Sequence, residues 1–544
     1  MASRDHAYED GKTAVLDEAH IGDIRGALGT ISVGDTGARR SFLARLLTLA
    51  AIVGPGLIVM VGDNDAGGVA TYAQAGQNFG LTLLWTLPLL IPVLVVNQEM
   101  VVRLGAVTGV GHARLINERF GRFWGAFSVG DLFVLNFLTI VTEFIGVSLA
   151  LGYLGVSAYI SVPLAAMGLV AMTVTGSFRS WERFMLLFVV ANFLVIPLAV
   201  FAHPHAGPVL HGFLVPGVRG GFNSTSVLLV IAIVGTTVAP WQLFFQQSNI
   251  VDKRITTRYL NYERTDTVIG SFVTVLGASL IVITAAFAFA HTPLSGRFTN
   301  AAGVAHGLTR FLGHASGTLF ALVLLNASII GAAAVTLSTS YAFGDIFGMR
   351  HSLHRRVGEA KFFYASYSAI IGFAAAIVLI PGAPLGLITT SVQALAGVLL
   401  PSATVFLVLL CNDRGVLGPW INRPWLNALA TAVVSVLLVL SLILMTTTVF
   451  PHVDVDVLLV VLGAALVVVL GVCGALYMRA LSRRLSHEDI PSSKRETWRM
   501  PPLSLLERPP WSRGRTATML AMYVYVFLSV AMLLVKVVQL GLHG

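Results

Sequence analysis

Thirteen runs of about twenty apolar residues, each closed by a polar connection, recur along the 544-residue chain and decide its class of fold. A bilayer core about 30 Å thick is crossed by about 20 apolar residues as a helix, whereas a membrane barrel strand alternates over about 10. The runs do not alternate, so the chain is expected to be all-α, a polytopic membrane protein. Only 11% of its residues are charged, against about 25% in a soluble domain.

Charge placement gives the expected topology. Arg103, Arg114, Arg119 and Arg122 share one connection, Arg179 and Arg183 the next of that side, and Lys253, Arg254, Arg258 and Arg264 the one after. Opposite connections hold few, such as Arg219, Arg297 and Arg310. The positive-inside rule then puts the N-terminus in the cytoplasm and, with an odd number of spans, the C-terminus outside a cell (plasma) membrane. Since insertion accounts for the basic residues, the net charge of +9 implies a lipid bilayer as partner and no nucleic acid. Residues 1–41 are polar and charged, with no cleavable leader expected. Cys411 and Cys473 lie in or beside apolar runs, which excludes a disulfide framework or thiolate metal site. Residues 479–515 are basic and proline-rich, read as a solvated cytoplasmic linker or a lipid-headgroup element. The segment "HPHAGPVLH", with His203, His205 and His211, is read as an external loop.

Two spans carry breaks. The first, expected over 42–78, is interrupted at "GDNDAGG", residues 62–68, and the sixth, over 224–248, at "GTTVAPWQLFFQQS" with Pro240 inside. In lipid an unpaired backbone group costs several kcal/mol, so irregular backbone at membrane depth lines a protein-enclosed cavity. The breaks lie five spans apart, each opening a group of five. Paired discontinuous helices in inverted repeats are a signature of LeuT-type transporters. The expected layout is a cytoplasmic tail (1–41), a first five-span repeat (42–223), a second inverted repeat (224–410) and spans 11 and 12 (411–478). The linker (479–515) and a final span (516–544) complete it. The breaks are expected to meet near the midplane around a cation held by Asp65, with Asp63 and Asn64 as further donors. An aspartate at that depth costs about 2.5–3.5 kcal/mol and normally has a functional partner; Asp65 also stands where it can cap the following half-helix.

These residues resemble the NRAMP family of divalent-metal transporters over roughly residues 45–450. "GPG" from Gly54, then eight residues, then Asp65-Ala66-Gly67-Gly68 is similar to the family's GPG and D-P-G-N motifs. "ATYAQAGQNFG" continues it, "QEMVVRLGAVTGVGHARLINERFG" (98–121) resembles the second span, and "TEFIGVSLAL" from Thr142 the third. Gln393, eight residues before Pro401, and "NDRGVLG" from Asn412 resemble the tenth.

Departures from that pattern bear on the ion. Where the family has M-P-H-N, this chain has Ala239-Pro240-Trp241-Gln242, so a backbone carbonyl replaces a thioether. Soft thioethers favour transition metals, while carboxylate, carbonyl and water suit Mg²⁺, Ca²⁺ and Mn²⁺. Gly68 replaces the family asparagine, which is expected to leave a wider cavity for a partly hydrated ion. Trp241 and Gln246 stand in place of two family histidines, and Ile140 replaces an acid while Glu143 remains, so proton coupling is expected to be weakened. The pattern resembles the NRAMP-related magnesium transporters, which implies Mg²⁺ uptake with Mn²⁺ also carried and no proton coupling. The implied metal set is Asp65, Gln242, Ala239, Asn64, Ala66, Gly68 and Asp63. Trp241, Glu143, Gln393, Gln246 and Thr237 are the gating or pathway residues. No cofactor is implied, Mg²⁺ or Mn²⁺ being substrate. Proton-coupled Mn²⁺/Fe²⁺ transport and a sodium-coupled amino-acid symporter are the alternatives, and the acidic break disfavours an anionic substrate group. No nucleophile is paired with a base, so an enzyme is not expected. Monomer and homodimer stay open.

Overall fold

The computed structural model describes residues 14–15, 17–381, 385–450, 453–483, 495, 498–506, 516–517, 519–525 and 527–528. A 3₁₀ turn (Glu18–His20) and an antiparallel hairpin, β1 (Ile24–Gly26) and β2 (Gly29–Ile31), precede the helices, with Ile24 opposite Ile31. Then come α1 (Phe42–Ile52), α2 (Pro55–Gly62), α3 (Ala66–Phe79), α4 (Thr86–Thr108), α5 (His112–Phe120), α6 (Arg122–Tyr153) and α7 (Ala158–Thr173). α8 (Phe178–Ala191) and α9 (Val195–Phe201) share one span through a 3₁₀ turn, followed by α10 (Ala206–Leu214). α11 (Ser224–Thr237), α12 (Pro240–Asp252), α13 (Leu260–Phe289), α14 (Ala301–Leu312), α15 (His314–Phe347), α16 (Lys361–Val378) and α17 (Leu385–Cys411) come next. α18 (Arg414–Leu417), α19 (Pro424–Val449) and α20 (Val455–Arg483) complete the order.

Local chemistry sets many ends. Asn223 and Ser226 form a reciprocal capping box that starts α11. Left-handed Gly109 and Gly348 stop α4 and α15, a conformation that glycine adopts without a Cβ penalty. Helices 4, 6, 11 to 13, 15 and 17 bury most of their apolar surface, whereas no residue in the most apolar stretch of α20 is buried. That helix faces outward, as a lipid-facing span would.

Ten described helices are long and apolar enough to cross a bilayer, with one further bent pair and the shorter apolar α7. The expected thirteen-span count is therefore reached only in part, and most of the final run lies outside the described residues. The first expected span also needs correcting. It is three helices, with α1 and α2 bent 52° apart, so the half-helix leading to the break starts at Pro55 rather than Phe42. Gly54 at φ 151° makes that corner, and the proline after it disfavours helix at Gly54. The "HPHAGPVLH" stretch is likewise loop only over 203–205, and from Ala206 on it belongs to the helix α10. The N-terminal tail is folded onto the bundle from Asp17 onward. A Cβ on Gly26 would lie 2.0 Å from the Ala51 carbonyl, so the hairpin touches α1 backbone to backbone. Linker residues also fold back, with Arg495 over the Trp420 ring at 4.2 Å and Arg499 donating to Thr257 Oγ1.

The short connecting helix α5 carries a pH liability. His112 is wholly buried, its Nδ1 2.7 Å from Gln247 Oε1 and its ring edge-on to Phe244. Burial pushes its pKa down to about 4, against the partial support of Gln247 and Asp345. A depressed folded pKa gives stability that is complete above the unfolded value near 6.5 and lost as pH falls towards 4. Between pH 7 and pH 4 the wild type should lose about 3 kcal/mol more stability than His112→Gln. Melting curves of both proteins across that range check it, and parallel losses would contradict it.

Candidate metal site

Two helix breaks face each other. α2 lies against α12 and α13, and α3 against α11 and α13, so the break at Asp63–Asp65 meets the break at Val238–Ala239. In the second break Pro240 has no N–H, which removes the helical donor to the Thr236 carbonyl. Ala239 is extended, with no side chain to cap α12.

Asp65 is the N-cap of α3, its Oδ1 accepting from Gly68 N at 2.6 Å. Glu143 of α6 comes to the same half-turn, its Oε2 accepting from Ala66 N at 3.0 Å beside the Asp65 carboxyl. Both acids are buried, and Glu143 Oε1 has no protein partner. Asp63 is fully buried with neither oxygen partnered. Asn64 donates through Nδ2 to the Thr274 carbonyl at 3.1 Å, leaving its buried Oδ1 free. Four unpartnered buried oxygens therefore surround one break: two from Asp63, one from Asn64 and one from Glu143. An unmet buried acceptor costs about 1–3 kcal/mol, and more if charged. A cation offsets that cost directly.

Among the described residues no three His, Cys, Asp or Glu side chains form a metal-holding group. What the break offers is carboxylates in ones and twos, with amide and carbonyl oxygens. Met60, one turn before it, has its sulfur at Ser271 Oγ, 3.5 Å away.

Several expected site residues are placed differently. Gln242 accepts at Oε1 from Gln98 Nε2 (2.9 Å) and donates to the Thr237 carbonyl (3.1 Å), and its side chain also lies beside Asp63, so its oxygen is shared with Gln98 in this conformation. Gly68 does not border a wide cavity. A Cβ there would be 2.8 Å from the Asp63 carbonyl and 3.0 Å from Thr236 Oγ1, so the glycine serves close packing of the two breaks. Glu143, expected among the pathway residues, reaches the break itself.

Of the other expected pathway residues, Trp241, Thr237 and Gln393 gather here. Trp241 lies against Gly62, where a Cβ would meet its ring at 3.1 Å, and its carbonyl accepts from Ser338 Oγ. Thr237 Oγ1 is 2.7 Å from Tyr72 OH, tying α11 to α3. Gln393 Nε2 occupies the space a side chain at Gly67 would need, 1.7 Å from its Cβ position. Gln246 lies off the break and donates to Thr267 Oγ1 at 2.9 Å. The sequence reading missed Tyr72 and Gln98, neither of which has a charge to mark it inside its span.

It also missed the closure at the start of α2. Asp266 Oδ2 accepts from the N–H groups of Gly54, Gly56 and Leu57 at 3.0, 2.8 and 3.2 Å. Lys253 Nζ donates to the Ile52 and Val53 carbonyls and to Glu182 Oε1, at 2.6, 3.0 and 2.6 Å. Glu182 Oε2 in turn accepts from Ala27 N of the hairpin at 2.5 Å. Charged residues at the ends of apolar runs were the available signal.

A family model described as "Natural resistance-associated macrophage protein-like" matches residues 56–447, which contain both breaks. The divalent metal cation transporter MntH of Aeromonas hydrophila is 27% identical over 413 residues, covering 72% of this chain and 94% of that protein. The protein of the same name from Mesorhizobium japonicum is 27% identical over 452 residues, covering 80% and 95%. A crystal structure of the Eremococcus coleocola manganese transporter, in complex with an aromatic bis-isothiourea compound, superposes with a TM-score of 0.60 at 20% identity. It covers 84% of this chain and 100% of that one, and so shares its fold. With the matching model spanning well over half of its length, the chain belongs to the Nramp family of membrane transporters and is not an enzyme.

Proposed function

We propose that the chain is a secondary carrier that moves a divalent cation into the cell by alternating access, Mg²⁺ foremost with Mn²⁺ also accepted, and without proton coupling. The observation that carries this is the set of unpartnered buried oxygens at the first break, facing a second break with no thioether. Oxygen donors alone favour hard ions, and one or two carboxylates with retained water is the usual shell of Mg²⁺. Asp65 and Asp63 supply charge, Asn64 and the Ala239 carbonyl supply neutral oxygens, and Gln242 joins when its bond to Gln98 opens. Ala66 and Gly68 let the backbone approach. Trp241 and Gln246 at the relay positions cannot titrate near neutral pH, which supports uncoupled movement.

In this reading spans 1–5 and 6–10 form inverted repeats, and the hairpin end of the bundle is cytoplasmic. The bonds of Asp266 and Lys253 to α2 hold that end shut and release for the ion to leave. Gln393 and Thr237 tie the half-helices together on the other side of the break.

Proton-coupled Mn²⁺ transport is the second reading. The manganese transport named for the Eremococcus protein favours it, and so does the placement of a second buried acid, Glu143, beside Asp65. Ala239→Met separates the two. With a thioether restored, competition between Mn²⁺ and Mg²⁺ for uptake should shift about tenfold or more towards Mn²⁺. An unchanged ratio would remove the argument from the donor set.

A further inference from the structure

Helix α12 and its C-cap residue carry Gln242, Gln246, Asn249 and Lys253 at successive spacings of four, three and four. At about 100° per residue these fall within about 60° of one another. None is more than 1% exposed, so a polar stripe runs inside the protein from the break to the closure at α2. Its ends have been accounted for, but its middle has not. Gln246 Oε1 and both polar side-chain atoms of Asn249 have no partner.

Glu263 of α13 lies beside Gln246. Glu263 is fully buried and neither of its oxygens is partnered. Lys253 cannot serve it, because an ammonium has three donors and all three go to Ile52, Val53 and Glu182. Asp266 lies three residues on, on the same helix face, where paired carboxylates are neighbours. Its Oδ2 is balanced by the amides that start α2, so the charge left without a counter-ion is that of Glu263.

We infer that Glu263 and Asp266, with the Gln246 carbonyl and the Thr267 hydroxyl, form a second cation site. It lies about one helical turn along α12 from the break, towards the hairpin end. The donors are all oxygens and two are carboxylates, so the site takes a hard divalent ion. An ion leaving the break is received there before the closure opens, and its charge loosens the hold of Lys253 and Asp266 on α2. The choice of a divalent ion rests on the carrier function proposed above; the site itself rests on the unpartnered Glu263 and Gln246 oxygens.

Mn²⁺ binding to the full-length protein in nanodiscs, counted by equilibrium dialysis, tests this. The wild type should bind two ions, Glu263→Gln one, Asp65→Asn one and the double variant none. Glu263→Asp should regain the second ion at lower affinity, which guards against misfolding of the Gln variant. Gln246→Leu should weaken only the second. A wild type that binds one ion, lost in Asp65→Asn, would overturn the second site and leave the carrier reading standing. Two ions retained in Glu263→Gln would place the second elsewhere, and no ion at all would overturn both.

Discussion

Replacing Asp65 by alanine should lower cation influx about 100-fold or more while the protein still folds. The residue has two jobs, because it faces the free oxygens of Asp63 and Glu143 and also caps α3 through Gly68 N. Losing a cap costs about 0.5–2 kcal/mol, enough to confuse a simple alanine result. Asp65→Asn resolves it, since asparagine caps about as well but carries no charge. If the carboxylate holds the ion, both variants lose transport and only the alanine variant loses stability. Wild-type influx in Asp65→Asn would reduce Asp65 to a cap.

Gly235→Val should prevent isolation of a monodisperse protein, the largest structural effect expected of one substitution here. A Cβ at Gly235 would lie 2.2 Å from the Gln393 carbonyl and 2.4 Å from Gly397 N, both backbone atoms of α17. No side chain can swing aside to make room. Small residues at such crossings let helices in lipid approach closely, and overpacking a core site costs about 1–3 kcal/mol even where the neighbours can adjust. Here α11 would be pushed off the helix that carries Gln393 to Gly67, so the second break would move with it. Size-exclusion profiles of Gly235→Val and Gly235→Ala beside wild type check this. A Val variant with the wild-type profile and melting temperature would contradict the close crossing.

How much of this was legible in the sequence depended on the kind of signal. Apolar run length announced the spans from α4 to α20, and Gly62–Gly68 and Pro240 announced the two breaks, because glycine, proline and charge are costly inside lipid. The corner at Gly54 was hidden because its flanks are equally apolar, so α1, α2 and α3 read as one span. Helix α10 was hidden by Pro208, His211 and the histidines just before it, which read as loop.

The site was legible by residue type and not by orientation. Asp63, Asn64 and Asp65 lie at the break, but only the folded structure shows that the Asn64 oxygen is free while the Gln242 amide bonds Gln98 and Thr237. The expected room at Gly68 failed for the same reason, since composition cannot say that the Asp63 carbonyl fills it. Long-range pairs such as Glu143 with Ala66, 77 residues apart, leave no local pattern.

The most direct test of the central claim is Mg²⁺ influx into proteoliposomes of the purified protein, with a Mg²⁺ indicator inside and lumenal pH followed in parallel. The account predicts Mg²⁺ entry with no acidification of the lumen. Mn²⁺ entry accompanied by acidification, with no Mg²⁺ entry, would contradict it.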